Sequence, residues 1–180
     1  WVVDPIDGTR AFLQEKPEWT VSAALVENGQ PVIGVVYNPS CEEFYHAVRQ
    51  QGAHLNDKLI RINDPVALDQ SRLVASSGLF RQDFWDRPAP AAQPHWVNSI
   101  AYRLALVAAG RFDGTVSLSK KHDWDLAAAD LLVQEAGGKA TTHTGDSFRY
   151  NQSTPLQRSV LAAGPSLHAE LLDRTQHARI

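Results

Sequence analysis

The run Asp4-Pro5-Ile6-Asp7-Gly8-Thr9, entered directly from the apolar Trp1-Val2-Val3, decides how this chain is understood. The pattern predicts a short buried strand that breaks into a Gly-Thr turn, with two carboxylates where the strand ends. Carboxylate oxygens are natural ligands of hard divalent cations such as Mg²⁺, and the backbone N–H groups of such a turn can bind an anion. The stretch therefore predicts metal-assisted phosphate chemistry, with a solvated Asp-rich turn as the alternative.

A second acidic segment, His122-Asp123-Trp124-Asp125, lies far down the chain and precedes an apolar run. Apolar residues then recur at helical spacing before a glycine pair that can end the helix: Leu126, Ala129, Val133, Ala136 and Gly137-Gly138. The pattern predicts a helix with Asp125 at or beside its N-cap, where Asp is favoured. A capping carboxylate can keep an oxygen lone pair for a metal, so capping and metal binding are compatible.

The residues around Asp125 have simpler interpretations. We interpret Trp124 as a buried anchor that fixes the angle of Asp125, and Asp123 as an exposed loop carboxylate. His122 has no second histidine at ligand spacing, so we expect a neighbour of the metal site and not a ligand.

The order of elements predicts an α+β fold. Residues 19–26 and 31–37 favour strands joined by an Asn28-Gly29 hairpin turn, and residues 43–49 extend this antiparallel sheet. The second half alternates strands and helices, with Ser99 capping one helix. We therefore predict a layered α/β sandwich with two parts. Residues 1–65 would be part of a metal-binding antiparallel-sheet subdomain, and residues 66–180 an α/β subdomain that supplies Asp125.

Bulk composition excludes several classes of protein. The 180 residues carry a net charge of −3, which gives no electrostatic reason to expect nucleic-acid binding. No apolar stretch approaches the ~18 residues of a membrane span. The single cysteine, Cys41, excludes an intrachain disulfide and fits a cytoplasmic protein.

The two acidic segments carry a family resemblance. The first, followed at this separation by a Trp-Asp-x-Ala-Ala helix start, resembles the inositol monophosphatase superfamily of Mg²⁺-dependent, Li⁺-sensitive phosphatases. The resemblance implies a layered fold of stacked sheets and helices, two or three Mg²⁺ ions, inhibition by Li⁺, and a small phosphorylated substrate. It also leaves a homodimer open, since dimers are common in the family.

Carried over residue by residue, the resemblance assigns roles. Asp4 would bridge two metal ions, the Ile6 carbonyl would ligate one of them, and Asp7 and Asp125 would ligate the other. The Thr9 hydroxyl would position the attacking water. The implied catalytic residues are Asp4, Asp7, Thr9 and Asp125, and the implied substrate-binding residues are Gly8, Thr9, Arg10, Ser99 and Lys121.

The function implied is hydrolysis of a phosphomonoester by a metal-activated water. The substrate would be of the inositol monophosphate or adenosine 3′,5′-bisphosphate type, with histidinol phosphate as the alternative, because Arg10 resembles the bisphosphate nucleotidase and histidinol-phosphatase branches. Lys120 and Lys121 would meet a second phosphate or carry solvated surface charge. Further pocket candidates by position are Ser76, Ser77 and Arg103.

Two alternatives stay open at the level of sequence. A haloacid-dehalogenase-type phosphatase also has an Asp motif ending in Gly-Thr, but its carboxylates are two residues apart, whereas Asp4 and Asp7 are three apart. The family also uses an upstream Glu to activate the water, and this chain begins at Trp1. We therefore interpret the chain as lacking an N-terminal segment, and a non-catalytic metal-binding fragment is the runner-up.

Overall fold

The computed structural model describes residues 1–64, 67–75 and 93–178. The first of these ranges forms a six-stranded sheet whose strands follow one another in chain order, with every neighbouring pair antiparallel. A five-residue helix, α1 (Thr9–Leu13), follows the first strand. The strands are β1 (Val2–Asp7), β2 (Thr20–Glu27), β3 (Gln30–Asn38), β4 (Glu43–Val48), β5 (Ala53–Leu55) and β6 (Lys58–Leu59).

The hairpin between β2 and β3 turns at the predicted dipeptide. Asn28 and Gly29 have φ angles of 53° and 81°. Positive φ at both central residues is the backbone of a turn whose twist matches that of the paired strands. The turn sets a register that pairs Ala24 with Gly34 and Ser22 with Val36. The inward face of this sheet therefore carries small residues, which allow a helix to approach closely.

The second sheet is mixed. The remaining elements of the chain are β7 (Arg72–Val74), β8 (Gln93–His95), α2 (Ile100–Ala108), β9 (Gly114–Ser117), β10 (Lys121–His122), α3 (Asp123–Glu135), β11 (Lys139–Thr141), β12 (Leu156–Gln157), β13 (Val160–Ala163) and α4 (Pro165–Thr175). The strand order in this sheet is β11-β13-β9-β7-β8, with β7 parallel to both neighbours and the remaining pairs antiparallel. A 3-10 turn at Leu68–Gln70 precedes β7, and β10 pairs with β12 in a separate ribbon.

The elements stack in layers, which confirms the predicted fold class. Helices α2 and α3 contact each other and both sheets, so they form the layer between them. Helix α3 is buried on both sides, including Leu126, Ala129 and Leu132. Helix α4 covers the far side of the second sheet with Leu167 and Leu171. The apolar faces of both sheets thereby bury the helix layer.

Several local predictions are corrected. Trp1 and Val3 are 75% and 51% exposed, so the first strand is not buried at its start. The sequence from Gly138 to Tyr150 suggests two strands around Thr144-Gly145-Asp146, but the structure has one strand there, β11. The predicted boundary at residue 65 and the pocket candidates Ser76 and Ser77 lie outside the described residues. In the part of the chain that the structure describes, no helix has the length and apolar character needed to cross a membrane.

Candidate metal and phosphate site

An irregularity in β1 brings the first two carboxylates to one place. The strand pairs with β2 at Asp4↔Ser22 and again at Asp7↔Thr20, so three steps along β1 match two along β2. In a regular strand, residues three apart point to opposite faces of the sheet. One extra residue in the strand changes that alternation, as a β-bulge does. The bulge allows both carboxylates to reach the same site.

Backbone hydrogen bonds fix the turn after Asp4. The Ile6 amide donates to Oδ1 of Asp4 at 2.9 Å, and the Thr9 hydroxyl donates to the Ile6 carbonyl oxygen at 3.0 Å. Gly8 has φ 89°, and a Cβ there would lie 3.0 Å from the Cβ of Ser99. Only glycine meets both conditions without strain. The N–H groups of Gly8 and Thr9 begin the short helix α1, where the first amides have no acceptor within the helix.

The start of α2 holds Asp7. The Ser99 hydroxyl donates to Oδ2 of Asp7 at 2.6 Å, and the Ala101 amide donates to the same oxygen at 2.7 Å. Ser99 is the N-cap of α2, as predicted, and accepts the Tyr102 amide at 2.9 Å. Asp7 is 7% exposed, so these donors replace the water that burial removes.

Asp125 lies three residues inside α3 and not at its N-cap, which is His122. Its Oδ2 accepts the His122 amide at 2.7 Å, so the carboxylate caps the helix from the N3 position. The Trp124 ring is 37% exposed and stacks on the His122 ring at 4.2 Å. The prediction of a buried anchor at Trp124 is therefore wrong, although the residue does lie beside the site.

Asp123 is buried and not exposed. Its Oδ2 accepts the Asn151 amide at 2.7 Å and its Oδ1 accepts Nε2 of Gln157 at 2.9 Å. The sequence carried no signal for these partners, because Asn151 lies far along the chain in the loop before β12 and Gln157 lies in that strand. Asp123 is thus a structural carboxylate that ties this loop to the start of α3.

The structure brings Asp4, Asp7 and Asp125 together. One carboxylate oxygen of each lies within 4.8 Å of the other two. Two ligands of one Mg²⁺ ion can be about 4 Å apart, since each bond is about 2.1 Å long. Three carboxylates at this spacing form an all-oxygen donor set that fits a hard divalent cation. No histidine belongs to this group among the described residues.

Burial and repulsion between the carboxylates disfavour the charged forms of Asp7 and Asp125. Burial, together with the charges of Asp125 and Asp4, raises the pKa of Asp7 to about 7, against the hydrogen bonds from Ser99 and Ala101. Burial also raises the pKa of Asp125, with Asp4 contributing. A bound cation would favour the ionised form of both groups.

A cavity of about 550 Å³ opens beside the carboxylates. Its wall contains the predicted residues Gly8, Thr9, Arg10 and Lys121. Ser99 does not line it: the residue is fully buried, and its hydroxyl contacts Asp7, Tyr102 and Thr20. From this position Ser99 can hold the Asp7 carboxylate in place, but it does not face a substrate in the cavity. The described wall is formed by Asp7, Gly8, Thr9, Arg10, Trp96, Asn98, Ile100, Arg103, Ser117, Ser119, Lys120, Lys121 and Asp125.

Sequence reasoning missed part of this wall. Trp96, Asn98, Ser117 and Ser119 line the cavity and were not predicted. The available signal was their position: Trp96 and Asn98 come just before the Ser99 cap, and Ser117 and Ser119 lie at and just after the end of β9. Position alone does not tell which side of a strand or loop faces the site, so the signal is weak.

The fold and the acidic site define a class of layered α+β phosphatases, and comparisons with known proteins give the family. The profile of the Inositol monophosphatase family matches residues 1–180. The inositol-1-monophosphatase of Bacillus subtilis (strain 168) is 32% identical over 186 residues, covering 99% of this chain and 68% of that protein. Nus factor SuhB of Pasteurella multocida is 34% identical over 189 residues, covering 98% and 67%.

Solved structures agree with the sequence relatives. The extragenic suppressor protein SuhB of Bartonella henselae has a TM-score of 0.81 at 32% identity, covering 95% of this chain and 69% of that one. The inositol monophosphatase of Thermotoga maritima has a TM-score of 0.81 at 31% identity, covering 95% and 66%. The chain belongs to the inositol monophosphatase family, a family of phosphatases, and spans about two thirds of the length of these relatives.

Proposed function

We propose that this protein is a Mg²⁺-dependent phosphomonoesterase that hydrolyses a small phosphorylated metabolite. The observation that carries the proposal is the convergence of Asp4, Asp7 and Asp125 within 4.8 Å, beside the Gly8-Thr9 turn. The inositol-1-monophosphatase relatives support the reaction class. Inositol monophosphate, adenosine 3′,5′-bisphosphate and histidinol phosphate are the substrate types considered.

Different residues of the chain would bind the cation and the phosphate. Asp4, Asp7, Asp125 and the Ile6 carbonyl would hold the cation, which when bound supplies Lewis-acid activation and charge screening for phosphate hydrolysis. The amides of Gly8 and Thr9 would donate hydrogen bonds to phosphate oxygens.

The Thr9 hydroxyl donates its proton to the Ile6 carbonyl, so its oxygen lone pairs remain available to accept a hydrogen bond from the attacking water. Water would then add to phosphorus and the phosphorus–oxygen ester bond would break. One proton of that water would end on the leaving oxygen, so that the alcohol and inorganic phosphate are the products. Ser99 and Ala101 keep Asp7 in place during this reaction, since both donate to the same carboxylate oxygen. Preorganised donors of this kind lower the reorganisation needed at the moment of reaction.

The test is phosphate release by the full-length protein from a panel of phosphomonoesters, with Mg²⁺ and with EDTA. We expect release only with Mg²⁺, and a loss of at least about 10²-fold in Asp4→Asn. The matched control is Asp57→Asn, because the Asp57 side chain is 97% exposed and its ion-pair partner, His46, lies outside the site. Mg²⁺ binding without release from any panel member would leave a non-catalytic metal-binding protein and reject the proposal.

A further inference from the structure

We propose that Arg103 and Lys121 form a second anion-binding subsite in the candidate cavity, so that the substrate is a phosphomonoester carrying a further anionic group. The inference rests on the proposed phosphatase function and narrows its substrate class. Both residues line the same cavity as Gly8, Thr9 and Asp7. A single small ligand in this cavity can therefore contact the Gly8-Thr9 turn and both cationic side chains at once.

Arg103 is buried in the cavity wall with an incomplete set of partners. It is only 6% exposed, and its Nε donates to the Val97 carbonyl oxygen at 2.6 Å. Among the described residues, its two terminal nitrogens have no hydrogen bond or ion-pair partner. The charge of Asp7 favours the charged form of Arg103, but no hydrogen bond or ion pair joins the two side chains. Burying a guanidinium without a direct partner is costly, so such a group is usually paired. An anionic group on a ligand in this cavity would accept hydrogen bonds from the terminal nitrogens of Arg103.

Lys121 likewise makes no ion pair with a carboxylate in the described part of the chain, although the charges of Asp125 and Asp7 act on it. Its Nζ donates hydrogen bonds to three neutral acceptors: Oγ of Ser119 at 2.7 Å and the carbonyl oxygens of Ser119 and Lys120 at 3.1 and 3.2 Å. These contacts hold the ammonium group near the cavity without neutralising it. A lysine arranged in this way can bind a phosphate or carboxylate as a point charge.

Charge is unevenly distributed between the cavity and the rest of the chain. The described cavity wall carries four basic residues, Arg10, Arg103, Lys120 and Lys121, and two acidic residues, Asp7 and Asp125. The chain as a whole has a net charge of −3. Since both acidic residues belong to the candidate metal group, a bound cation leaves a clear surplus of positive charge. Such a cleft attracts an anion beyond the one phosphate held at the turn.

The same wall is poorly suited to a neutral polyol. Outside the metal group, the described lining contains no carboxylate to accept hydrogen bonds from hydroxyl groups. Its uncharged polar side chains are Thr9, Asn98, Ser117 and Ser119, which any polar ligand can use. The distinguishing feature of this cavity is therefore its cations, and they select for negative charge on the substrate.

The experiment compares substrates that differ by one anionic group, using the full-length protein. One pair is adenosine 3′,5′-bisphosphate with adenosine 3′- and 5′-monophosphate, which tests a second phosphate. The other is 3-phosphoglycerate with glycerol 3-phosphate, which tests a carboxylate. We expect kcat/KM with Mg²⁺ to favour the more anionic member of at least one pair by about tenfold or more, as charge-assisted contacts do.

Variants assign the preference to the subsite. Arg103→Met should reduce it to near unity, Lys121→Gln should reduce it partly, and Arg103→Lys should retain part of it. The control is Lys58→Gln, an exposed lysine outside the cavity, which should keep the full preference. Circular dichroism checks that each variant is folded, and Lys121→Gln and Arg103→Lys keep the test valid if Arg103→Met does not fold.

A binding readout separates this inference from the proposed function. Isothermal titration calorimetry in EDTA should show tighter binding of adenosine 3′,5′-bisphosphate than of either monophosphate, with the difference lost in Arg103→Met. Hydrolysis with equal kcat/KM within both pairs would overturn the second subsite and leave the phosphatase function intact. Absence of hydrolysis of every ester would overturn the proposed function. The difference in calorimetric affinity would then be the remaining test of the second subsite, and equal affinities would overturn it.

Discussion

Gly34 in β3 lies directly against the backbone of Ala128 in α3. A Cβ atom on Gly34 would be 2.5 Å from the Ala128 carbonyl oxygen and 3.1 Å from its Cα. The two residues are far apart in the chain and belong to different layers of the fold. Their contact sets how closely α3, which begins just before Asp125, packs on the sheet that carries Asp4 and Asp7.

We expect Gly34→Ala to destabilise the protein by about 3 kcal/mol, toward the upper end of typical overpacking effects. The contact is with backbone atoms, so no side-chain rotation can relieve it. Activity should fall as well, because α3 must move to make room. Urea unfolding and phosphate release measure the two effects. Gly137→Ala is the control: a Cβ there meets nothing within 4 Å, and only its φ of 92° opposes the change, at about 1–2 kcal/mol. Similar losses of activity in both variants would contradict the packing explanation.

We expect Asp125→Asn to nearly abolish activity while leaving the metal-free protein as stable or more stable, by up to roughly 1 kcal/mol. The asparagine oxygen can still accept the His122 amide, and one of three mutually repelling carboxylates is removed. Thermal melts with EDTA and with Mg²⁺ check this, because a ligand that binds only the folded state raises its stability. The wild type should gain stability with Mg²⁺, and Asp125→Asn should gain little.

The neighbouring Asp123→Asn is the matched control for that change. Asp123 is buried and structural, and it is outside the carboxylate group. This variant should lower the melting temperature and keep the stabilisation by Mg²⁺. A full response to Mg²⁺ in Asp125→Asn would show that Asp125 is not a ligand.

We expect Ser99→Ala to reduce both stability and activity. The Ser99 hydroxyl donates its proton to Asp7 and accepts the Tyr102 amide, so its contact with Thr20 at 3.0 Å has Thr20 as the donor. Loss of the cap costs about 1 kcal/mol, and loss of the donor leaves Asp7 less firmly held. Thr20→Ala removes a hydrogen bond of the same cluster but keeps the bond to Asp7. Denaturant unfolding should show similar losses, with activity retained in Thr20→Ala alone.

Asp130 predicts a pH dependence of stability. Burial raises its pKa to about 6, against hydrogen bonds from Gln134 and Tyr150. A carboxyl group whose pKa is higher in the folded than in the unfolded protein binds its proton more tightly when folded. Its contribution to the free energy of unfolding is therefore fully present below about pH 4. That contribution, on the order of 2–3 kcal/mol, is lost as the pH rises through about 6. Asp130→Asn, which stays neutral, should therefore be less sensitive to pH across this window in urea unfolding.

Asp146→Asn provides a control of opposite sign. Hydrogen bonds from Thr144 and Thr142 lower the pKa of Asp146, so its contribution is present above the unfolded pKa and is lost as the pH falls. In Asp146→Asn, the free energy of unfolding should therefore still fall between pH 4 and 6, because Asp130 is unchanged in this variant. A pH profile of Asp130→Asn identical to that of the wild type would reject a raised pKa at this position.

The layered fold was predictable from local patterns, whereas the grouping of Asp4, Asp7 and Asp125 followed from the family resemblance that their two segments carry. Asn28-Gly29 is a turn signal that acts within a few residues, and the Ser99 cap and the Gly137 helix end are equally local. Asp123 shows the limit, because its burial depends on Asn151 and Gln157. The bulge between Asp4 and Asp7 is another limit, since it depends on pairing with a second strand.

The sequence by itself determined which chemical groups are available: two oxygen-rich segments, a glycine turn, and strand and helix patterns that act through local backbone preferences. Only the tertiary structure decided how these groups combine. Packing of α3 on the first sheet brings Asp125 to Asp4 and Asp7, and burial leaves the terminal nitrogens of Arg103 without a partner among the described residues. The physical reason is that burial and charge interaction depend on distance in space, which residues remote in sequence share only after the layers have packed.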